Sequence, residues 1–337
     1  MPEFLQQIVN NFSWTTFTQQ IINGLSFGSV YALIAVGYSL VYSILGFSNF
    51  AHGGFIVVGA YTCYLIMGEL ISSSTYLPWQ LGAGIALLIG GVAAIVFSGI
   101  VGVITERMAY KPIREKTSLT LYLLIASMGV SIVIENLFVV TIGGRFRALP
   151  QVNLDIPWLM RLLGLPPEPI PLQHTIKLAE GITISTFDII TFVVAFMFLL
   201  GLQLFLQRTK WGLAIRAAAC DLRTAGLMGV NVGRLISIIF LVAGGLAGVC
   251  GIFLGMRYTI YPQLGDITFK AFVAAVVGGL GSLPGAVVGS IILGLLEMLV
   301  AGFISSQLRD LVVYSLLVIT LIVKPTGLFG KQIGDKV

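Results

Sequence analysis

The stretch WQLGAGIALLIGGVAAIVFSGIVGVI, residues 79–104, contains no charged side chain. A helix needs about 20 apolar residues to cross the hydrocarbon core of a bilayer, so this stretch predicts a membrane-spanning helix. Similar apolar runs occupy residues 17–45, 50–70, 118–140, 187–206, 235–257, 270–300 and 311–323. The sequence therefore predicts an all-α, polytopic integral membrane protein, with residues 1–337 forming a single transmembrane domain.

The composition supports this class and excludes others. Of the 337 residues, 57% are hydrophobic and 10% are charged, against about 25% charged in a typical soluble domain. The net charge of +5 comes from lysines and arginines in short segments between apolar runs, which fits membrane orientation better than nucleic-acid binding. Three cysteines and two histidines, far apart in the sequence, do not suggest a disulfide framework or a metal site.

The number of crossings depends on two runs. Residues 17–45 are longer than one span and shorter than two, which favours a tilted or partly surface-lying helix. Residues 270–300 contain GGLGSLPGAVVGS, and a break at Pro284 would make two short crossings. That break places Lys324, Lys331 and Lys336 in the cytoplasm, where positive residues accumulate. We therefore expect about nine crossings, within a range of eight to ten.

An island of charge, RTKWGLAIRAAACDLRTAGLMGVN at residues 208–231, lies between two apolar runs. Residues 214–227 are rich in helix formers, and Gly212 and Gly229 flank them. The sequence predicts a short cytoplasmic helix that a partner's groove would receive. An ordinary basic loop, like ERMAYKPIREK at residues 106–116, is the alternative, since such loops orient any membrane protein.

The longest polar stretch, residues 141–186, contains six prolines and falls on the outer face by alternation. A connection of this length predicts a functional loop or a small subdomain, with residues 158–165 as a short amphipathic turn on the membrane. A flexible linker is the alternative.

Catalytic and nucleotide-binding motifs are absent from the sequence: there is no GxxxxGK[ST], HExxH, GxSxG or CxxC. Two glutamates, Glu135 and Glu297, fall within apolar runs. They are candidates for ion coupling in a secondary transporter, but both lie toward the ends of their runs, which favours interfacial or packing roles. A passive channel needs no recognisable chemistry and stays open as an alternative.

Glycines recur at small-residue spacing in two of the apolar runs. We expect them to bring helix backbones together, because lipid provides no hydrophobic drive between helices. This packing is a better explanation than a phosphate-binding loop. The predicted packing glycines are Gly244, Gly248, Gly281, Gly285 and Gly289.

Several stretches resemble the permease subunits of branched-chain amino acid ABC importers, the LivH/LivM type, and LivH most. They cover nearly the whole chain apart from residues 141–186. In order they are NGLSFGSVYALIAVGYSLVYSILGFSNFAHGGF at 23–55, ERMAYKPIR at 106–114, LIASMGVSIVIENL at 124–137, the island at 211–231, FKAFVAAVVGGLGSLPGAVVG at 269–289, and KPTGLFG at 324–330.

The resemblance implies an inner-membrane permease that pairs with a homologous permease, docks on two ATP-binding subunits and receives solute from an external binding protein. ATP and Mg²⁺ would bind on the partner subunits, with no cofactor in this chain. The pattern RAxxxDxxxAxxxG then marks residues 208–231 as the coupling segment that contacts the ATPase. Its residues are Arg216, Ala217, Asp221, Ala225 and Gly229, with Arg223 adding charge to fix the register.

The sequence departs from the family pattern after the run NFAHG, where an acidic residue is common and Gly54 stands here. The candidates for a substrate path are Asn49, His52, Gly53 and Glu135. His52 has three open roles: a group on the substrate path, a hydrogen-bond donor at a helix start, or a packed polar residue.

The expected function is import of branched-chain or other neutral amino acids, driven by ATP hydrolysis on separate subunits. Urea or short amides are alternative solutes. An ATP-independent transporter or channel and a membrane-embedded enzyme are the rival classes; the enzyme would need polar groups clustered at one depth, which His52, Glu135 and Glu297 do not obviously provide.

Overall fold

The computed structural model describes residues 13–72, 83–117, 119–150, 152–154 and 170–330. Helices dominate these ranges, which confirms the predicted all-α class. They are α1 Trp14–Leu45, α2 His52–Ser72, α3 Ala83–Thr105, α4 Lys111–Lys116, α5 Thr120–Thr141, α6 Thr186–Arg208, α7 Lys210–Cys220, α8 Leu222–Leu227, α9 Val232–Arg257, α10 Thr268–Gly278, α11 Leu283–Phe303 and α12 Arg309–Val323.

Three short helical turns complete these elements. A π-helical turn, Glu106–Tyr110, joins α3 to α4 without a loop, so the basic stretch 106–116 is helical. Two 3₁₀ turns, Pro262–Ile267 and Ser306–Leu308, precede α10 and α12. Eight of the described helical stretches are long and apolar enough to cross a membrane, which lies within the predicted range.

The first helix is the centre of the bundle. Residues 17–45, predicted as a tilted or partly surface-lying helix, lie in α1, which is one continuous helix of 32 residues whose second half is almost entirely buried. Its length of about 48 Å exceeds a hydrocarbon core of about 30 Å. It ends at Gly46, whose φ of 65° allows the amide to donate back to the Tyr42 carbonyl.

Residues 270–300 form two helices, as the break predicted. The break lies at residues 279–282, just before Pro284, where Gly279 and Gly281 have φ values of 112° and 86°. Pro284 lies in the first turn of α11, where the backbone amide has no partner within the helix and its absence is tolerated, and the Ser282 hydroxyl accepts from the Gly285 amide at 3.3 Å. The chain reverses direction here because glycine tolerates the positive φ values.

The helix directions follow from backbone contacts. A Cβ atom at Gly24 would lie 2.8 Å from the Leu295 Cα, and one at Gly28 would lie 3.0 Å from the Ile291 Cα, so α1 and α11 are antiparallel. The segment after α12 returns to the break before α11, where the Leu328 amide donates to the Val277 carbonyl at 2.9 Å.

If the 3₁₀ turn 262–267 and α10 together make one pass, the chain crosses nine times. Lys331 and Lys336 lie outside the described residues.

The two ends of the bundle differ. We call the end that carries residues 208–231, 279–282 and 324–330 the basic end. At the opposite end, residues 170–185 form short antiparallel strands: β2 (Ile170–Pro171) pairs with β1 (Asn153–Leu154), and β3 (Thr175–Ala179) pairs with β4 (Ile182–Ser185). The Thr183 amide donates to Gln19 Oε1 at 2.8 Å, which joins the hairpin to α1. The predicted turn at residues 158–165 lies outside the described residues.

Glycines set the closest helix contacts. A Cβ atom at Gly244 would lie 2.7 Å from the Ser98 carbonyl oxygen, and one at Gly248 would lie 2.7 Å from that of Ala94, so both lie against α3. Gly285 and Gly289 lie against α10 in the same way. Gly281 differs from the prediction: an added Cβ atom there would lie no closer than 3.7 Å to another helix, and the residue serves the turn between α10 and α11.

A tighter contact, at Gly251, gives a test of this packing. A Cβ atom there would overlap the Ile56 carbonyl oxygen and lie 2.7 Å from the Ala60 amide nitrogen, both backbone atoms of α2. We expect Gly251→Ala to destabilise the protein by about 1–3 kcal/mol, as overpacking does. The measurement is the thermal unfolding midpoint in detergent. Gly201→Ala on α6 is the control, because no atom lies within 4 Å of its added methyl group, and an unchanged midpoint for Gly251→Ala would contradict the packing.

Candidate functional site

The island at residues 208–231 folds as two helices rather than the single predicted helix. α7 ends at Cys220 and α8 begins at Leu222, and Asp221 lies between them in extended conformation. One Asp221 carboxylate oxygen accepts from the amides of Arg223 (2.9 Å) and Thr224 (3.2 Å), and the other accepts from the Thr224 hydroxyl at 2.6 Å. Aspartate is a preferred N-cap, so Asp221 fixes the bend.

The two ends of the segment are also held by caps. The Thr209 hydroxyl accepts from the Gly212 amide at 3.0 Å and starts α7, and Asn231 Oδ1 accepts from the Arg234 amide at 3.0 Å and starts α9. Gly212 lies inside the first turn of α7 rather than before the helix, and a Cβ atom there would overlap the Leu206 carbonyl. The segment is thus a defined element and not an unstructured loop.

The predicted coupling residues divide by exposure. Arg216, Ala217, Asp221, Arg223 and Gly229 are exposed, whereas Ala225 is buried against the chain's own helices. Ala225, like Ala218 in the core, cannot contact a partner directly and instead lets α8 pack closely.

Apolar side chains protrude from the same segment. Leu227 is 83% exposed and Met228 is 81% exposed, at the turn after α8. Gly229 follows with a φ of 91° and closes the turn. Charged and apolar groups that are exposed side by side on a capped element are typical of a protein contact surface.

The candidates Asn49, His52 and Gly53 lie inside the bundle. Asn49 is 1% exposed; its Oδ1 accepts from the Tyr110 hydroxyl at 2.7 Å and from the Ala51 amide at 3.3 Å. Gly53 lies against Gly265, whose carbonyl oxygen would be 2.9 Å from an added Cβ atom. These contacts join the start of α2 to the π turn and to the 3₁₀ turn before α10.

His52 is packed among rings. It is 1% exposed, and its ring centroid lies 5.2 Å from that of Tyr38 and 6.4 Å from that of Phe55. Neither ring nitrogen has a hydrogen-bond partner among the described residues. A Cβ atom at Gly37 would lie 2.9 Å from its Nε2. Of the three roles left open, this geometry fits the packed polar residue best.

Of the four candidates for the substrate path, Glu135 is the one that is partly exposed. It is half-buried on α5, where the Ser131 hydroxyl donates to its carboxylate at 2.9 Å. Its hydrogen bond to Ser131 stays within α5 and does not reach Asn49 or His52. Gly54, where the family commonly has an acid, lies against Ile134, whose Cδ1 would be 3.0 Å from an added Cβ atom. A carboxylate at Gly54 would therefore need the Ile134 side chain to shift.

The sequence did not reveal two ion clusters near the opposite end. Arg257 pairs with Asp188 at 2.8 Å, and the Ser26 hydroxyl donates to the same carboxylate at 2.6 Å. Lys270 bridges Glu297 at 2.8 Å and Asp310 at 2.7 Å, and the Tyr31 hydroxyl donates to Glu297 at 2.7 Å. The sequence predicts a packing or interfacial role for Glu297. It does not identify the partners of this glutamate, because Tyr31 and Lys270 lie far from it in the chain.

A cavity of about 350 Å³ opens at the basic end between the end of α1 and the start of α5. Tyr42, Ser48 and Thr120 supply its polar groups, and Leu121, Leu124 and Leu280 most of its apolar wall. Within the described residues, no three His, Cys, Asp or Glu side chains are grouped to hold a metal ion. The arrangement offers surfaces for contact and passage rather than a set of reacting groups.

Comparison with known proteins agrees with this geometry. The family model described as "Branched-chain amino acid transport system / permease component" matches residues 20–321. The high-affinity branched-chain amino acid transport system permease protein LivH of Escherichia coli K12 is 38% identical over 323 residues, which is 95% of this chain and 98% of LivH. The corresponding protein BraD of Pseudomonas aeruginosa is 35% identical over 324 residues, again 95% and 98% of the two chains.

Among solved structures, PsaBC from Streptococcus pneumoniae in complex with Fab aligns over 96% of this chain and 97% of that one. The identity is 13% and the TM-score 0.44, a similarity too distant to support an argument. The family match and the two curated relatives cover nearly the whole chain at substantial identity. The chain belongs to the family of permease components of branched-chain amino acid transport systems.

Proposed function

We propose that this chain is the permease subunit of an ATP-driven importer for branched-chain amino acids, and that residues 208–231 receive the motion of a separate ATPase. It would pair with a homologous permease, with two ATP-binding subunits below and a solute-binding protein outside. The observation that carries the proposal is the exposed, capped two-helix element at the basic end.

Family membership fixes the coarser part of this function. The chain is a multi-pass component of the cell's inner membrane, and it is a transport permease and not an enzyme. Its relatives are named as permease proteins of transport systems, and its own sequence contains no P-loop. ATP hydrolysis therefore takes place on separate partner subunits.

The distribution of charge supports a cytoplasmic location for the basic end. Lysines and arginines concentrate in cytoplasmic loops of membrane proteins. Most of those in the described residues lie at the basic end: Arg107, Lys111, Arg114, Lys116, Arg208, Lys210, Arg216, Arg223, Arg234 and Lys324. Fewer lie at the opposite end: Arg145, Arg147, Lys177, Arg257, Lys270 and Arg309. Residues 141–186 would then face the exterior, where a solute-binding protein would dock.

The exposed face of the coupling segment has the composition that a partner requires. Arg216 and Arg223 provide charge that sets register and orientation. Leu227 and Met228 provide apolar area whose burial drives association. Because Asp221 is used to cap α8, its main contribution is to hold these groups in place.

A path between two permease chains fits the least buried helices. In the most apolar parts of α5 and α12, 11% and 6% of residues respectively are buried. Both helices flank α10: α5 packs on the 3₁₀ turn before it, and α12 packs on α10 itself. We propose that this face meets the partner permease and that Glu135, half-exposed on α5, lies beside the path. Its carboxylate suits the ammonium group of an amino acid.

Charge reversal tests the coupling surface. We expect Arg216→Glu with Arg223→Glu to lower copurification of the ATPase subunits at least tenfold and to abolish uptake, because both arginines are exposed and neither side chain supports the segment's own fold. Substitution of Asp221 is less informative, since it removes the cap of α8.

The matched control for ATPase copurification reverses two charges at the opposite end, Arg145→Glu with Lys177→Glu, and should keep the ATPase subunits bound. Both double variants should insert into the membrane at wild-type levels, measured by quantitative blotting of membrane fractions. Wild-type uptake and ATPase copurification in the Arg216 and Arg223 variant would refute the coupling role.

Glu135→Gln tests the path. Loss of a charge-assisted hydrogen bond, worth about 1.5–3 kcal/mol, predicts that the KM for leucine uptake rises roughly 10- to 150-fold. Uptake of labelled leucine by the reconstituted importer gives the value. Glu115→Gln, an exposed glutamate at the end of α4, is the control. A KM that is unchanged in Glu135→Gln would remove this residue from the path.

Sidedness can be measured with single cysteines. After Cys220→Ser removes the exposed native thiol, a cysteine at Leu178 (61% exposed) should react with an impermeant maleimide on intact cells. A cysteine at Leu227 should react only after the membrane is opened. The reverse pattern would invert the proposed orientation.

A further inference from the structure

A groove of about 690 Å³ runs along the outside of the bundle between α3, α6 and α9. Its walls are apolar and include Ile95, Val96, Phe198, Gly201, Phe205 and Leu241. All six residues fall in stretches that can cross a membrane. The groove therefore lies at the depth of the lipid hydrocarbon.

The shape of the groove depends on two glycines. Gly201 on α6 has no atom within 4 Å of an added methyl group, and Gly245 on α9 lies against Ile95, whose Cγ2 would be 3.4 Å from an added Cβ atom. Along α6, the lining from Met197 to Phe205 spans about 12 Å at 1.5 Å per residue. The volume is in the range of roughly 300–1,000 Å³ that is typical of ligand pockets. An elongated apolar slot of this kind fits a hydrocarbon chain.

An exposed arginine lies toward the basic end of each helix that forms the groove: Arg208 ends α6, Arg234 lies in the first turn of α9, and Arg107 lies in the π turn that continues α3. Arg208 follows Gly201 by seven residues, Arg234 precedes Leu241 by seven, and Arg107 follows Val96 by eleven. These separations are close to two, two and three helical turns, so each arginine lies near the groove side of its helix. None of the three takes part in a salt bridge between described residues.

Arg107 and Arg234 lie at similar depth. A Cβ atom at Gly102 of α3 would overlap the Phe240 carbonyl of α9, so antiparallel α3 brings Arg107 level with the start of α9, where Arg234 lies. Trp211, 45% exposed, lies three residues after Arg208. Tryptophan near arginine marks the headgroup level of a bilayer.

We propose that this groove binds one anionic phospholipid, with an acyl chain between α3, α6 and α9 and its phosphate near Arg107, Arg208 and Arg234. Arginine is well suited to phosphate because its guanidinium donates several hydrogen bonds. The apolar slot alone would accept any lipid, whereas the three arginines select negative charge.

A helix of the partner permease is a weaker candidate for the groove. The helices proposed to meet that partner are α5, which packs on the 3₁₀ turn before α10, and α12, which packs on α10, and none of these elements lines the groove. The groove is formed by α3, α6 and α9, and the three arginines lie on α6, on α9 and on the π turn that continues α3. A protein helix in the groove would provide no phosphate group to pair with the three arginines.

The test uses the full-length chain, purified with the subunits that copurify with it and then delipidated. Phosphatidylglycerol and phosphatidylcholine with identical acyl chains are titrated separately and bound copies are counted by native mass spectrometry. We expect one tightly bound phosphatidylglycerol. Each basic residue near a lipid surface contributes about fivefold, so R107Q/R208Q/R234Q should weaken that binding on the order of a hundredfold and erase the preference over phosphatidylcholine.

Gly201→Phe fills the groove from an open position on α6 and should remove the tight site for both lipids. Gly84→Leu, at an open glycine on α3 outside the groove lining, is the control and should bind as the wild type does. A phosphatidylglycerol with a photoactivatable acyl chain should also crosslink the wild-type protein between Met197 and Phe205, which does not depend on any variant folding.

Three results would overturn the proposal. The first is unchanged binding of phosphatidylglycerol by Gly201→Phe, which would place the lipid elsewhere. The second is equal binding of both lipids by the wild type together with no effect of the arginine substitutions. The third is crosslinking of a cysteine at Gly201 to another protein chain in the membrane, which would identify a protein occupant.

Discussion

Close approach of helix backbones is the constraint on which this structure depends. Inside a bilayer, apolar side chains gain nothing by leaving lipid for protein, so helices associate through contact and packing. α1 meets α11 through Gly24, Gly28 and Gly294, and α9 meets α3 and α2 through Gly244, Gly248 and Gly251. In each case a methyl group would meet backbone atoms, which cannot rotate away. These contacts fix α1 and α9 as the centre, and the remaining helices pack around them.

The bilayer environment also explains which features could be predicted from the sequence. Apolar runs specify helices because a backbone in hydrocarbon must satisfy its own hydrogen bonds. The break between α10 and α11 could be predicted because glycine and proline act locally. The coupling segment could be identified as a helical element for the same reason. Its bend at Asp221 could not be predicted, because an N-cap aspartate within a helical pattern cannot be distinguished by sequence from an exposed polar residue of one continuous helix.

Features that depend on distant residues could not be predicted. Nothing near His52 in the sequence shows that Gly37 makes room for its ring or that Tyr38 packs against it. The charge of residues 106–116 predicts a cytoplasmic location, but nothing in that stretch indicates the π turn at residues 106–110. Its buried members, Glu106 and Tyr110, meet Ser237 and Asn49 from outside the turn. Pairing across the fold, rather than local pattern, decides such positions.

Charge divides the molecule into two ends with different mechanical roles. At the opposite end, Arg257–Asp188 joins α9 to α6 with Ser26 of α1, and Lys270 joins α10 to α11 and α12. Separating such partly buried pairs is costly, because each charge loses its partner without regaining full hydration. At the basic end, Arg208, Arg216, Arg223 and Arg234 are exposed and make no salt bridge to described residues.

This asymmetry bears on how force would cross the bundle. Force applied at residues 208–231 would be transmitted to α6 and α9, the two helices that the segment connects. The Arg257–Asp188 pair joins the same two helices at the opposite end, so they would move together rather than separate. α1, tied to that pair through Ser26, would be carried with them. α5 has no such ionic tie to the centre among the described residues and packs mainly on α2, so a relative shift between α5 and the rest is the movement that the structure opposes least.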